Sequence, residues 1–309
     1  MSGPPHQENK VEAILDALAN APAHIVPLQL LDEAHDHREA LIPPFQQAVA
    51  QAHALSAGGR LQAEGDWRLP CFALHFLAAW RVPGTYDLIL DSLMLDDRYD
   101  SRWLMCDAYN DWPHLLITTF DGDVARLLRI LQKEDPPWNS DLRTCLILLL
   151  GGVYHHRLGD RAAIEAAFDQ MLDTCEDSLI VETIADCIAR AKMERLLPRL
   201  HKMMQDEVVS ELDVRGILDA PWEEGVKNLA SCPNPIVNPR QDLADIISMW
   251  FYFRPPFVPS PEVKQSKLYQ WEIQINDTTA RPGPFILRKR TLPCNCDSGL
   301  PYGACCAGK

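Results

Sequence analysis

Four cysteines near the end of the chain have a spacing suited to one task. A single residue separates Cys294 from Cys296, and Cys305 and Cys306 adjoin one another after a gap of eight. Thiolates are good ligands for zinc, which accepts four of them tetrahedrally at about 2.3 Å without geometric preference of its own. Between the two couples, Ser298-Gly299-Leu300-Pro301-Tyr302-Gly303 consists largely of turn formers, so the chain can reverse and bring the second couple back to the first. So short a segment cannot bury a core, and a metal would hold it together. One structural Zn2+ per chain is therefore expected on Cys294, Cys296, Cys305 and Cys306. A closed site of this kind leaves no position for water or substrate. Disulfides could join the same cysteines. However, the first ten residues are polar and lack the apolar stretch of a secretory signal, so a cytoplasmic, reducing location is expected and a metal is favoured.

The string Cys294, Cys296, Ser298, Gly299, Tyr302, Cys305, Cys306 resembles the SEC-C motif, the small zinc-binding tail of the bacterial preprotein translocase SecA and of many otherwise unrelated bacterial proteins. The resemblance implies zinc on those four cysteines and brings in the ribosome as a candidate partner. The glycine that usually follows the second cysteine is Asp297 here, and the flanking lysines are Leu300 and Pro301.

Other chemistry-bearing residues have plainer readings. His155 and His156 precede a turn, where a cation complements a helix C-terminus. His35 and His37 flank Asp36 in a polar stretch read as solvated loop, and Asp121-Gly122-Asp123 lacks the ligand pattern of a calcium loop and reads as a helix cap. Residues 96–107 form an acidic loop around Asp96, Asp97, Asp100 and Asp107. Cys71, Cys106, Cys145, Cys175, Cys187 and Cys232 sit in apolar settings and read as core thiols. No phosphate-binding loop, dinucleotide fingerprint, nucleophile elbow or zinc-protease pair occurs in the chain.

The elements that would carry these residues are helical. Val124, Leu127, Leu128 and Leu131 make one apolar face, as do Leu142, Leu146, Leu149, Leu150 and Val153 on the next segment. Turns near Pro83, Gly122, Gly159 and Met193 recur at about 34 to 39 residues, the range of helical-hairpin repeats. No consensus residue recurs at every period. The expected fold is all-α, a HEAT-like array over residues 67–254 after an N-terminal helical region over 1–66, with stacked hairpins burying each other's faces. Asp242 to Phe251 reads as one more helix that seals the last repeat. Prolines at 255, 256, 259, 261, 282 and 284 mark residues 255–290 as a linker to the knuckle at 291–309. The stretch from about Leu74 to Met171, with His75-Phe76-Leu77-Ala78, Trp103-Leu104-Met105, Asp121-Gly122-Asp123 and Arg143-Thr144-Cys145, is similar to a bacterial family known as domain of unknown function 1186. That resemblance implies a helical fold that often ends in a SEC-C tail, and carries no activity with it.

With 29 Lys and Arg against 43 Asp and Glu, the net charge of -14 opposes nonspecific nucleic-acid binding. The longest apolar run, around Leu146 to Leu150, is far shorter than the 18 or so residues that span a bilayer, so no membrane insertion is expected. These readings converge on an interaction protein of adaptor or scaffold type, whose array and mobile knuckle contact a protein or peptide partner. The alternative is an enzyme or redox protein with a site in the groove of the array, using residues such as His75, Asp107, His114 or His155.

Overall fold

The computed structural model describes residues 5–22, 25–57, 68–93, 108–132, 140–209 and 233–248. Two compact units divide the chain, Met1–Pro255 and Pro256–Lys309, and every described residue belongs to the first. The cysteines of the expected zinc knuckle, the 255–290 linker and the acidic loop 96–107 lie outside the described residues.

Twelve helices and no strand occur among the described residues. In chain order they are α1 (Pro5–Ala19), α2 (Leu28–Asp36), α3 (Arg38–Ala57), α4 (Arg68–Ala79), α5 (Thr85–Leu93), α6 (Ala108–Thr119), α7 (Val124–Leu131), α8 (Ser140–His155), α9 (Arg161–Thr174), α10 (Ser178–Ala191), α11 (Leu197–Gln205) and α12 (Pro239–Ser248). No helix among the described residues is long and apolar enough to cross a membrane.

The starts of α7, α9 and α10 share one device. Asp123, Asp160 and Asp177 stand just ahead of these helices, and each carboxylate accepts a backbone N–H of the first turn, from Arg126, Ala163 and Leu179 respectively, at 2.8 to 3.1 Å. Asp123 thus does what the capping reading of Asp121-Gly122-Asp123 expected. Helix ends share another device. After α4, α8, α10 and α11 the chain passes through a left-handed residue: Arg81, Arg157, Lys192 and Glu207, with φ of 52°, 57°, 50° and 56°. At each, the left-handed residue and its successor donate to the last helical carbonyls. Lys192 N–H reaches Ala189 O and Met193 N–H reaches Ile188 O, and the pattern repeats at Arg81/Val82, Arg157/Leu158 and Glu207/Val208. This is the Schellman arrangement, built four times without glycine.

Packing follows chain order. α3 lies on α4, α4 on α6, α6 on α8 and α8 on α10, while α5, α7, α9 and α11 flank this row. One apolar core runs through the unit from Ile14 and Leu18 of α1 to Leu243, Ile246 and Ile247 of α12. The 1–66 region therefore shares a core with the row of helices, since Phe45 of α3 stacks on Phe76 and Trp80 at 5.5 and 5.8 Å. Two adjacent glycines set the spacing around α8. A Cβ on Gly151 would lie 2.7 Å from Cys187 Sγ on α10, and one on Gly152 would lie 2.7 Å from Ile117 Cδ1 on α6. Close approach on both sides of α8 needs glycine at both positions.

α12 departs from expectation in two ways. It starts at Pro239 rather than Asp242, because proline suits a first helical position and the Asp242 carboxylate reaches back to accept the N–H groups of Val237 and Asn238 at 2.8 Å. Nor does it pack on the α10–α11 end of the row: its main partners are α2 and α4 at the opposite end. Arg240 of α12 is clamped between Asp32 and Asp36 of α2.

Candidate functional site

Among the described residues, polar side chains gather on the α4–α6–α8 part of the row. His75 on α4 and Asp111 on α6 are each 1 % exposed at the side chain. Nδ1 of His75 is 2.8 Å from Cys71 O, one turn back on the same helix, and a carbonyl can only accept, so Nδ1 carries a proton. Nε2 then faces Asp111 Oδ2 at 3.3 Å, and a hydrogen bond there needs a proton on one of the two groups. With both ring nitrogens engaged, His75 has no face left with which to take a proton from a substrate.

One turn along α6 from Asp111, His114 Nδ1 is 3.1 Å from both the N–H and the carbonyl oxygen of Asn234. The N–H can only donate, so a neutral Nδ1 accepts it; a protonated ring would donate to the carbonyl instead. The contact thus survives either charge state. One further turn on, Thr118 Oγ accepts the N–H of Ile236 at 2.8 Å and gives its own proton to His114 O. From the turn just after α8, Nε2–H of His156 donates to the side-chain oxygen of Asn234 at 2.9 Å, and from the turn after α4, Arg81 donates to Ile236 O at 3.2 Å. Residues 233–237 therefore run as a strap across α8 and α6 to the end of α4. Pro233 and Ile236 of this strap are buried and Val237 is exposed.

Of the groove residues considered for catalysis, His75 and His114 face the same part of the row. His155 ends α8 and lies edge-on to His156, with ring centroids 4.8 Å apart, and Asp107 lies outside the described residues. Asp111 and Asn234 were not singled out by sequence. Asp111 shares a helix face with His114 and Thr118 through its spacing of three and seven, and this signal was available. Nothing local marks Asn234.

Among the described residues, His35, His53, Cys71, Cys145 and Cys187 sit in packed surroundings. His35 belongs to α2 rather than to a solvated loop, because Leu31 and Ala34 anchor that helix in the core. Its Nδ1 accepts the indole N–H of Trp80 at 2.9 Å, and its ring lies edge-on to Phe76 and Trp80. Burial is the main reason its titration falls from 6.5 to about 4. Burial likewise pushes His53 down and the Cys145 thiol up. Cys71, Cys145 and Cys187 are buried, Cys175 is partly so, and Cys106 and Cys232 lie outside the described residues. Among the described residues, no group of three or more His, Cys, Asp or Glu side chains could hold a metal. The four tail cysteines remain the candidate ligands, outside the described residues.

Comparison with protein-family models, curated proteins and solved structures finds no match to this chain.

Proposed function

We propose that the chain is a zinc-binding interaction protein of adaptor or scaffold type: a HEAT-like array of helical hairpins joined through a Pro-rich linker to a SEC-C-like knuckle. The observation that carries the reading is the order of packing. Hairpins α4–α5, α6–α7, α8–α9 and α10–α11 contact chiefly their neighbours in sequence, and three of the four inner helices end in the same left-handed turn. Elements stacked this way bury a shared core and present long surfaces. The groove histidines favour binding over chemistry, because His75 has both nitrogens engaged and His114 and His156 hold main chain and amide of residue 234. Cys294, Cys296, Cys305 and Cys306 supply a four-sulfur donor set suited to zinc, which would fold the tail and give the protein a second, tethered contact that raises effective concentration at a partner.

Two measurements test this. Elemental analysis should find about one zinc per chain, and the cobalt-substituted protein should show thiolate-to-metal charge-transfer absorption; Cys305→Ser should lose both while far-ultraviolet circular dichroism keeps its helical signal. Absence of metal from protein purified without chelator removes the knuckle. Affinity capture from bacterial lysate, with and without residues 290–309, should then give different partners; identical recoveries exclude the tail from partner binding.

A further inference from the structure

We infer that the α6–α8 face is a docking site for an extended, proline-containing peptide, and that residues 233–237 are its resident occupant in cis. The match is one of periodicities. His114 and Thr118 are four residues apart on one helix face, a rise of about 6 Å. Alternate residues of an extended chain repeat at about 6.6 Å. The N–H groups of Asn234 and Ile236 consequently meet His114 Nδ1 and Thr118 Oγ at 3.1 and 2.8 Å. Pro233 and Pro235 occupy the alternate positions, where no N–H exists to be satisfied. Side chains are read as well. His156 donates to the Asn234 amide, Ile236 is 3 % exposed, and Pro233 fits the notch left by Gly152, where an added Cβ would come within 2.8 Å of its ring. Arg81 closes the far end on Ile236 O. The face thus recognises backbone at every second residue, a small ring at the first position, an amide at the second and a β-branched apolar side chain at the fourth. Fixed proline dihedrals lower the entropy lost on docking.

The partner that fits is a protein segment with this Pro-Asn-Pro-Ile chemistry, and it must displace the strap. This rests on reading the chain as an interaction protein, and it names the partner's chemistry at the α6–α8 face.

The experiment uses the full chain and a fluorescent synthetic peptide of sequence Pro-Asn-Pro-Ile-Val-Asn. Wild type is compared with a strap-weakened variant, Asn234→Ala with Ile236→Ser, and with that variant carrying Thr118→Val. The strap-weakened chain should bind the peptide at least tenfold more tightly than wild type, and Thr118→Val should then weaken binding about fivefold, the worth of one hydrogen bond. No binding by a helical, strap-weakened chain overturns the inference, as does binding indifferent to Thr118→Val. Hydrogen exchange of wild type provides a second route that needs no variant. The Ile236 amide should exchange through local opening and faster with excess peptide, whereas exchange only through global unfolding makes the strap a permanent part of the core and refutes the docking site. A partner captured from lysate whose binding ignores these changes refutes this site while leaving the interaction reading intact.

Discussion

At the scale of single residues, several polar side chains are held by packing, His35 among them. Its ring accepts from Trp80 in a half-buried setting, and its titration drops to about 4 from the ordinary 6.5. A base that titrates lower when folded binds more protons when unfolded, so its stabilising contribution is complete above pH 6.5 and shrinks as pH falls toward 4. His53, also pushed down by burial, acts in the same direction. Urea midpoints should therefore decline between about pH 7 and about pH 4, and His35→Gln, which keeps an acceptor for Trp80, should flatten part of that decline. Allowing for partial exposure, its share is of order 1–2 kcal/mol. Lys192 presents a different strain, with φ of 50° at the end of α10. Glycine adopts that conformation freely, so Lys192→Gly should stabilise the protein by about 0.5–1 kcal/mol, read as a rise of roughly 1–3 °C in the thermal midpoint. The Tyr154 hydroxyl donates to buried Glu165 at 2.8 Å. Tyr154→Phe leaves that carboxylate oxygen short of a donor and should cost about 1–3 kcal/mol in urea denaturation.

At the scale of elements, apolar spacing made most of the helices legible. The faces of α7 and α8 and the turns at Pro83, Gly122, Gly159 and Met193 correspond to described helices and turns, because 3.6-residue periodicity and turn formers are local signals. The helix terminator was less legible: Arg81, Arg157 and Lys192 are followed by Val82, Leu158 and Met193, a charged residue then an apolar one, and glycine is the usual sign of a left-handed end. Helix spacing was not legible at all. Gly151-Gly152 lies inside an apolar run, and its purpose emerges from the residues opposite it on α10 and α6. Gly151→Ala should destabilise by about 1–3 kcal/mol through overpacking against Cys187, and adding Cys187→Ala should recover much of the loss, since the clash is with that side chain. Equal and additive losses in urea titrations of the single and double variants would remove the steric account.

At the scale of the molecule, residues 233–248 connect separate parts of the row, and they were the hardest part to anticipate. Prolines and asparagines around 233–239 signal broken helix, which is correct locally, yet no local pattern says that the following helix returns to the first end of the row. That placement comes from Leu243, Ile246 and Ile247 joining the shared core and from Arg240 meeting Asp32 and Asp36. A stacked row whose members touch only neighbours unfolds in segments once its weakest interface opens. An arm joining α8 and α6 to α4 and α2 opposes this, because opening one end must also release contacts elsewhere. Leu243, fully buried, should cost about 2–4 kcal/mol on truncation to alanine. Cooperativity should fall with it: in Leu243→Ala, tryptophan fluorescence and circular dichroism should no longer trace one urea transition, and the apparent m-value should drop. If the midpoint moves but the two probes stay coincident, the arm adds stability without coupling the ends, and the row is already cooperative through α4, α6, α8 and α10 alone.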